Sequence, residues 1–291
     1  MTSFQSFNPV VTAIYFLFVT AIAMFSSNPI FVIISLIGAV IAYQLQVSEK
    51  KKRTQLYFWV LFIILSLINP LVSHNGITVL FVMNDNPVTL EALIYGISAS
   101  AAIIAVLYWF GIFSEIMTSD RLLYVLGGLS PKLSLIISMA LRYVPLFSKQ
   151  AEKINHSQKA LGLYKEDNII DALKGKIRVF SVMVTWTLEN GIITADSMSA
   201  RGYGIGKRTC YSDYKFRKCD FILLIFCCLM FAVSLWTIIS GDTEFVFYPY
   251  IKSQISIKAC AGYISYAVLV MLPIIIEAEE KLKWKYLISK I

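Results

Sequence analysis

Histidine is nearly missing from this chain: among 291 residues there are two, His74 and His156, far apart. Charge is scarce too, at 15% of residues. Cysteine occurs five times, at Cys210, Cys219, Cys227, Cys228 and Cys260, with no CxxC pair and no histidine nearby. These shortages exclude the His, Asp and Cys clusters that a metal centre or hydrolytic site requires. The cysteines read as small buried apolar residues, not as a disulfide framework. No GxxxxGK[ST] segment is present, so any ATP must be hydrolysed elsewhere. A self-contained carrier should show internal repeats with broken helices and ionisable groups at midplane. No such repeat is visible, and the apolar runs carry almost no charge.

What the chain has in abundance is apolar surface. Hydrophobic residues make up 57% of it, and its mean hydropathy is +0.69. No soluble domain hides that much, so the reading is an integral membrane protein. Candidate spans cover about residues 10–27, 29–46, 56–72, 89–113, 219–240 and 258–276. The first lacks a basic leader and a small-residue cleavage site, and reads as a retained span. The fold class is therefore all-α and polytopic, with about six membrane helices embedded in the lipid bilayer. Residues 1–113 and 219–291 form the membrane segments, and 114–218 forms a mixed segment between them.

Charge placement supplies an orientation. If the N-terminus is cytoplasmic, that side receives Lys50–Arg53, the segment 114–218 and the tail with Lys281, Lys283, Lys285 and Lys290. Together these hold 24 of the 26 basic residues, and only Lys252 and Lys258 fall outside. The positive-inside rule accounts for the net charge of +8 without invoking nucleic acid.

Local signals punctuate the chain. Asn69-Pro70-Leu71 ends or kinks the third run, with Asn69 available to backbone groups the proline frees. Residues Ile77–Val82 are β-branched and too short to span, so they read as extended or re-entrant. Thr89 caps the next helix, with Glu91 in its first turn. A short helix capped at Ser119 or Asp120 ends near Gly127-Gly128. Ser130-Pro131 opens a long helix to about residue 160, with Arg142 on a narrow polar stripe. Pro145 should kink that helix, and Arg142 is assigned to the carbonyls so freed. A second long helix fits 169–200, with Leu173, Ile177, Phe180, Val184 and Leu188 on one apolar face. Glu189 and Asp196 on it are candidates for pairing with bases of the neighbouring helix.

Both long helices end alike, in Ala160-Leu161-Gly162 and Ala200-Arg201-Gly202. The glycines suit the left-handed residue that follows a helix end. Arg201 is favoured there by the helix dipole, and its planar fork suits a carboxylate. Two such ends in a chain without catalytic groups suggest docking to a soluble partner.

At this point the chain resembles the transmembrane T component of energy-coupling factor (ECF) transporters, the cobalt-transport-protein Q family. The likeness covers roughly residues 60–205. It rests on Asn69-Pro70-Leu71 with Gly76, Thr89-Leu90-Glu91-Ala92, Tyr95-Gly96, Ser130-Pro131, Leu141-Arg142-Tyr143-Val144-Pro145 and the two Ala-x-Gly ends, in that order. The resemblance implies a non-catalytic scaffold joining a substrate-binding membrane S component to two cytoplasmic ABC ATPases. ATP and Mg are bound by those partners, and this chain carries no cofactor. The two helix ends of the 114–218 coupling domain would dock into the ATPases, whose cycle re-orients the S component for vitamin or transition-metal uptake. Leu161 stands where the family usually has Arg, which suggests two unlike ATPases or one contact made by apolar packing. A self-contained secondary transporter or a membrane enzyme is the alternative reading.

The charge asymmetry generates a topology test. Cysteines introduced at Thr54, Asp213 and Lys285 are expected to resist an impermeant thiol reagent in intact cells, whereas one at Thr243 reacts. Labelling of Asp213 from outside would overturn the arrangement.

Overall fold

Four Asn-Pro pairs divide the chain, and their different fates organise the fold. At Asn8-Pro9 and Asn28-Pro29 the asparagine caps a helix and the proline occupies its first position. Asn8 Oδ1 accepts from the Val10 N–H (3.0 Å) and Asn28 Oδ1 from the Ile30 N–H (2.9 Å). Proline's missing N–H costs nothing there, because first-turn donors have no helical acceptor. Asn69-Pro70 instead lies inside a helix, and Asn86-Pro87 opens a strand.

A computed structural model describes residues 3–46, 52–72, 76–83, 86–162, 169–206, 214–248, 252–253 and 256–288. Its helices are α1 (Pro9–Phe25), α2 (Pro29–Gln46), α3 (Lys52–Val72), α4 (Leu90–Ile116), α5 (Ser119–Leu129), α6 (Pro131–Ala160), α7 (Ile169–Ala200), α8 (Lys218–Ile239) and α9 (Ile257–Ile288). A 3-10 turn, Ser3–Ser6, precedes them. Five helices, α2, α3, α4, α8 and α9, are long and apolar enough to cross a membrane, and α1 is a shorter apolar helix of 17 residues. The segment read as extended is a hairpin. In it β1 (Val79–Met83) pairs antiparallel with β2 (Asn86–Thr89), with an irregularity between Val79 and Phe81. A second short antiparallel pair, β3 (Phe245–Val246) and β4 (Lys252–Ser253), lies between α8 and α9.

The chain forms two units, residues 1–122 with 214–291, and residues 123–213. The first unit unites both membrane segments around one aromatic core. Tyr15, Phe31, Tyr108, Trp109 and Tyr266 are fully buried there. In an apolar surrounding a polar tip needs a partner, and three of these side chains have one. Trp109 Nε1 donates to Ser35 Oγ (3.0 Å) and Tyr266 to the Val19 carbonyl (3.3 Å). Tyr15 donates to the Leu269 carbonyl (3.1 Å). That carbonyl is the one Pro273, inside α9, cannot bond, so α1 supplies what the proline removes.

Small residues set the close helix contacts. A side chain at Gly38 would overlap Val270, and one at Gly262 would overlap Thr237. These are α2–α9 and α8–α9 contacts of the small-residue kind that membrane helices use. Ser234 and Ser265 share a buried hydrogen bond (2.7 Å) between α8 and α9.

Two expectations are corrected. Cys227 is buried, but Cys219 and Cys260 are exposed, because they sit at helix starts rather than in the core; Cys210 lies outside the described residues. Thr243, the reporter for the far side, is buried and bonds the Thr237 carbonyl (3.4 Å). Its exposed neighbour Glu244 is the better labelling position.

Tyr15→Phe strips the Leu269 carbonyl of its donor while keeping the ring. An orphaned buried acceptor costs about 1–3 kcal/mol. The variant is expected to unfold at lower temperature in detergent than the wild type. An unchanged midpoint would show that the bond contributes nothing.

Candidate docking ends

Unit 123–213 is built on α6 and α7. Ser130 is the N-cap residue of α6, with extended backbone but no capping hydrogen bond from its side chain, and Pro131 follows at the first position. Ser134 Oγ reaches back to the Leu123 carbonyl (3.0 Å) and fixes the turn into α6. The two long helices meet through Tyr143 and Thr194, whose hydroxyls are 2.8 Å apart. They also meet through Phe147 and Trp186, whose rings pack edge to face at 5.8 Å. Position 143 pairs with 194 and 147 with 186, so the helices run antiparallel. The Ala160 and Ala200 ends therefore lie on opposite sides of the crossing. At 1.5 Å per residue the Ala160 end is about 22 Å from it and the Ala200 end about 15 Å. Sequence spacing gave two similar ends but not this opposition, because no motif encodes which residues of two helices touch.

Each end is closed by a left-handed glycine, Gly162 at φ 64° and Gly202 at φ 82°. At the second end the Tyr203 N–H bonds the Met198 carbonyl (3.0 Å) and the Gly202 N–H bonds Ser199 (3.0 Å). This is the paired closure of a Schellman motif, which needs the positive φ that glycine adopts without strain. At the first end the Gly162 N–H bonds Lys159 (2.9 Å). The residue that would complete the pair, Leu163, lies outside the described residues. Ala160, Leu161, Ala200 and Arg201 are all exposed, Leu161 to 73%. One tip thus offers a guanidinium and the other an isobutyl group.

The apolar face of α7 does not close the unit. Leu173, Ile177, Phe180, Val184 and Leu188 expose between 43% and 69% of their surface. Beside them an open, mainly apolar groove of about 550 Å³ runs between α6 and α7, lined by Phe147, Ala151, Val179, Phe180 and Met183 among others. Periodicity found this face correctly but could not say that the described residues of its own unit leave it uncovered. Glu189 and Asp196 are exposed, and among the described residues neither forms an ion pair.

The remaining singled-out residues separate by unit. α6 continues through Pro145. Arg142 and Pro145 are exposed, and among the described residues Arg142 makes no hydrogen bond. In the other unit Pro70 is buried and Asn69 half-buried, with Asn69 Oδ1 lacking a partner among the described residues. The carbonyl Pro70 frees is that of Ser66, and a Cβ at Gly96 would sit 3.0 Å from it. Gly96 therefore lets α4 approach α3 at the proline. Gly76 has a similar reason. At φ 134° it leaves room for the Glu91 carboxylate and the Thr89 hydroxyl. Buried Glu91 accepts the Thr78 N–H (3.3 Å to each oxygen), while Thr89 Oγ1 accepts the Ala92 N–H (3.3 Å). His74 lies outside the described residues.

The family model described as CbiQ, cobalt transport protein, matches residues 2–211. An uncharacterised MG181 homologue of Mycoplasma pneumoniae is 26% identical over 174 residues, 55% of this chain and 40% of that protein. The energy-coupling factor transporter transmembrane protein EcfT 1 of Listeria monocytogenes is 32% identical over 76 residues, 26% of this chain and 29% of its own length. The EcfT of Lacticaseibacillus paracasei is 30% identical over 93 residues, 31% of this chain and 35% of its own. The chain thus spans less than half the length of the curated relatives it matches. With the family model covering most of its residues, the chain belongs to the CbiQ cobalt transport protein family.

Proposed function

We propose that this chain is the non-catalytic transmembrane component of an ECF-type importer in a prokaryotic cell membrane. The observation that carries this reading is the pair of exposed, glycine-closed helix ends on opposite sides of the α6–α7 crossing. Two ends facing apart suit two partner subunits, one at each. The partners are cytoplasmic ABC ATPases that bind ATP and Mg, and both termini of this chain lie on their side of the membrane. The bare face of α7 and the groove beside it suit an apolar surface of a membrane partner, the S component that selects a vitamin or transition-metal ion. When the ATPases close or open, they displace the two helix ends, and the Tyr143–Thr194 and Phe147–Trp186 contacts make the helices move as a pair.

The ends are chemically unlike, so their partners' grooves should differ. Arg201 suits a carboxylate-lined groove, which its fork can engage at two oxygens. Leu161 suits an apolar one. Two different ATPases fit this better than two copies of one.

Stranding one member of a buried charge pair at an interface typically costs about 2–5 kcal/mol, whereas most truncated contacts cost under about 1 kcal/mol. Arg201→Ala is therefore expected to lose an ATPase subunit from the purified complex, or to hydrolyse ATP without uptake, more severely than Leu161→Ala. Arg201→Lys should restore only part of the loss, since an ammonium lacks the fork. Wild-type coupling by Arg201→Ala at equal expression would remove Arg201 from the interface. Robust uptake by this chain alone in proteoliposomes would favour a self-contained carrier.

A further inference from the structure

The polypeptide passes between its two units twice, at residues 122–123 inside α5 and at 213–214. The residues flanking these crossings are not loose connections. Arg121 is only 8% exposed, and among the described residues it pairs with no carboxylate. Its guanidinium donates to the Gln5 carbonyl and to the Ile116 carbonyl (3.5 Å). The second is the last carbonyl of α4, where a helix dipole favours a cation. The same guanidinium lies 5.9 Å from the centroid of the Tyr214 ring, within cation–π range. Arg121 immediately precedes the outgoing crossing, and Tyr214 is the first residue after the return.

Both flanks are also tied to the N-terminal turn. Phe4 is fully buried, packed at 5.3 Å on Tyr15 and 6.2 Å on Phe16, which fixes Gln5 beneath Arg121. Three residues on, the Asn8 N–H donates to buried Asp220 (3.1 Å). The other oxygen of Asp220 accepts the Arg217 N–H (2.8 Å) at the start of α8. Residues 4–8 thus hold the outgoing flank through Arg121 and the returning flank through Asp220, while Arg121 and Tyr214 join the two directly.

We propose that Arg121 and Tyr214 form a clasp, seated on the N-terminal turn, that binds the two connections of the α6–α7 unit into one. A displacement that reaches either flank is then carried into α4 and α8 together. The effect on transport rests on the function proposed above; the clasp itself does not. Arg121 and Tyr214 are positioning residues.

The test is hydrogen exchange by mass spectrometry on the purified full chain in detergent, with Arg121→Lys, Tyr214→Leu and Tyr214→Phe. Arg121→Lys keeps charge but loses the fork, and Tyr214→Phe keeps the ring. Arg121→Lys and Tyr214→Leu are each expected to speed exchange about 3- to 30-fold at both 119–124 and 214–219. Mid-span peptides of α2 and α4 should stay unchanged, and Tyr214→Phe should match the wild type. Deprotection confined to the mutated flank overturns the clasp, as does Tyr214→Phe behaving like Tyr214→Leu. Loss of protection across the spans would make these ordinary fold residues and also overturns it. In the assembled transporter the clasp variants should hydrolyse more ATP per substrate taken up. If exchange responds as expected and that ratio does not change, the clasp stands and the coupling role of the α6–α7 unit fails.

Discussion

A proline inside a helix leaves one carbonyl without its donor, and an apolar surrounding offers no water to replace it. How this chain meets that demand governs its packing. In α9 the Tyr15 hydroxyl bonds the carbonyl Pro273 releases, which locks α1 against α9 at the centre of the aromatic core. In α3 the carbonyl released by Pro70 faces Gly96 of α4, so the two helices close around it. In α6 the carbonyl released by Pro145 belongs to an exposed stretch. The membrane unit answers Pro273 with a donor from α1 and packs α4 closely against the carbonyl freed by Pro70, whereas the stretch of α6 around Pro145 is exposed.

The division also separates the two kinds of landmark that carry the family likeness. Gly76, Thr89, Glu91 and Gly96 hold the membrane unit together: two make room, one caps a helix and one ties the hairpin to α4. Among the described residues the Ala-x-Gly ends hold nothing in their own unit, since their side chains are exposed and their glycines only stop the helix. Short motifs can thus belong to one family pattern for opposite reasons, some because the chain must pack there and some because it must not.

Much of this was legible beforehand. The start and stop of α6 and the stop of α7 followed from Ser130-Pro131, Gly162 and Gly202, because proline and glycine restrict the backbone locally, while α7 itself followed from its apolar periodicity. Span positions followed from apolar length alone. The hairpin was only half legible, since β-branched residues mark extension but not a partner strand. The antiparallel crossing and the bare α7 face were beyond reach, because periodicity identifies a face without saying what lies opposite. Arg121 was the least visible: in a count of positive charges it is one of 24, yet it sits nearly buried against carbonyls and a ring. The 3-10 turn before α1 left no periodic signal, being a single turn long.

The uncovered face of α7 has a consequence for the life of the chain in the cell. An apolar stripe of this extent has few solvent-compatible fates: it is covered, it self-associates, or it attracts the machinery that removes misfolded protein. On the function proposed above, copies made in excess of the companions that cover the stripe would not accumulate as a usable reserve, and the amount of this protein that a cell can hold would follow the supply of those companions rather than its own synthesis.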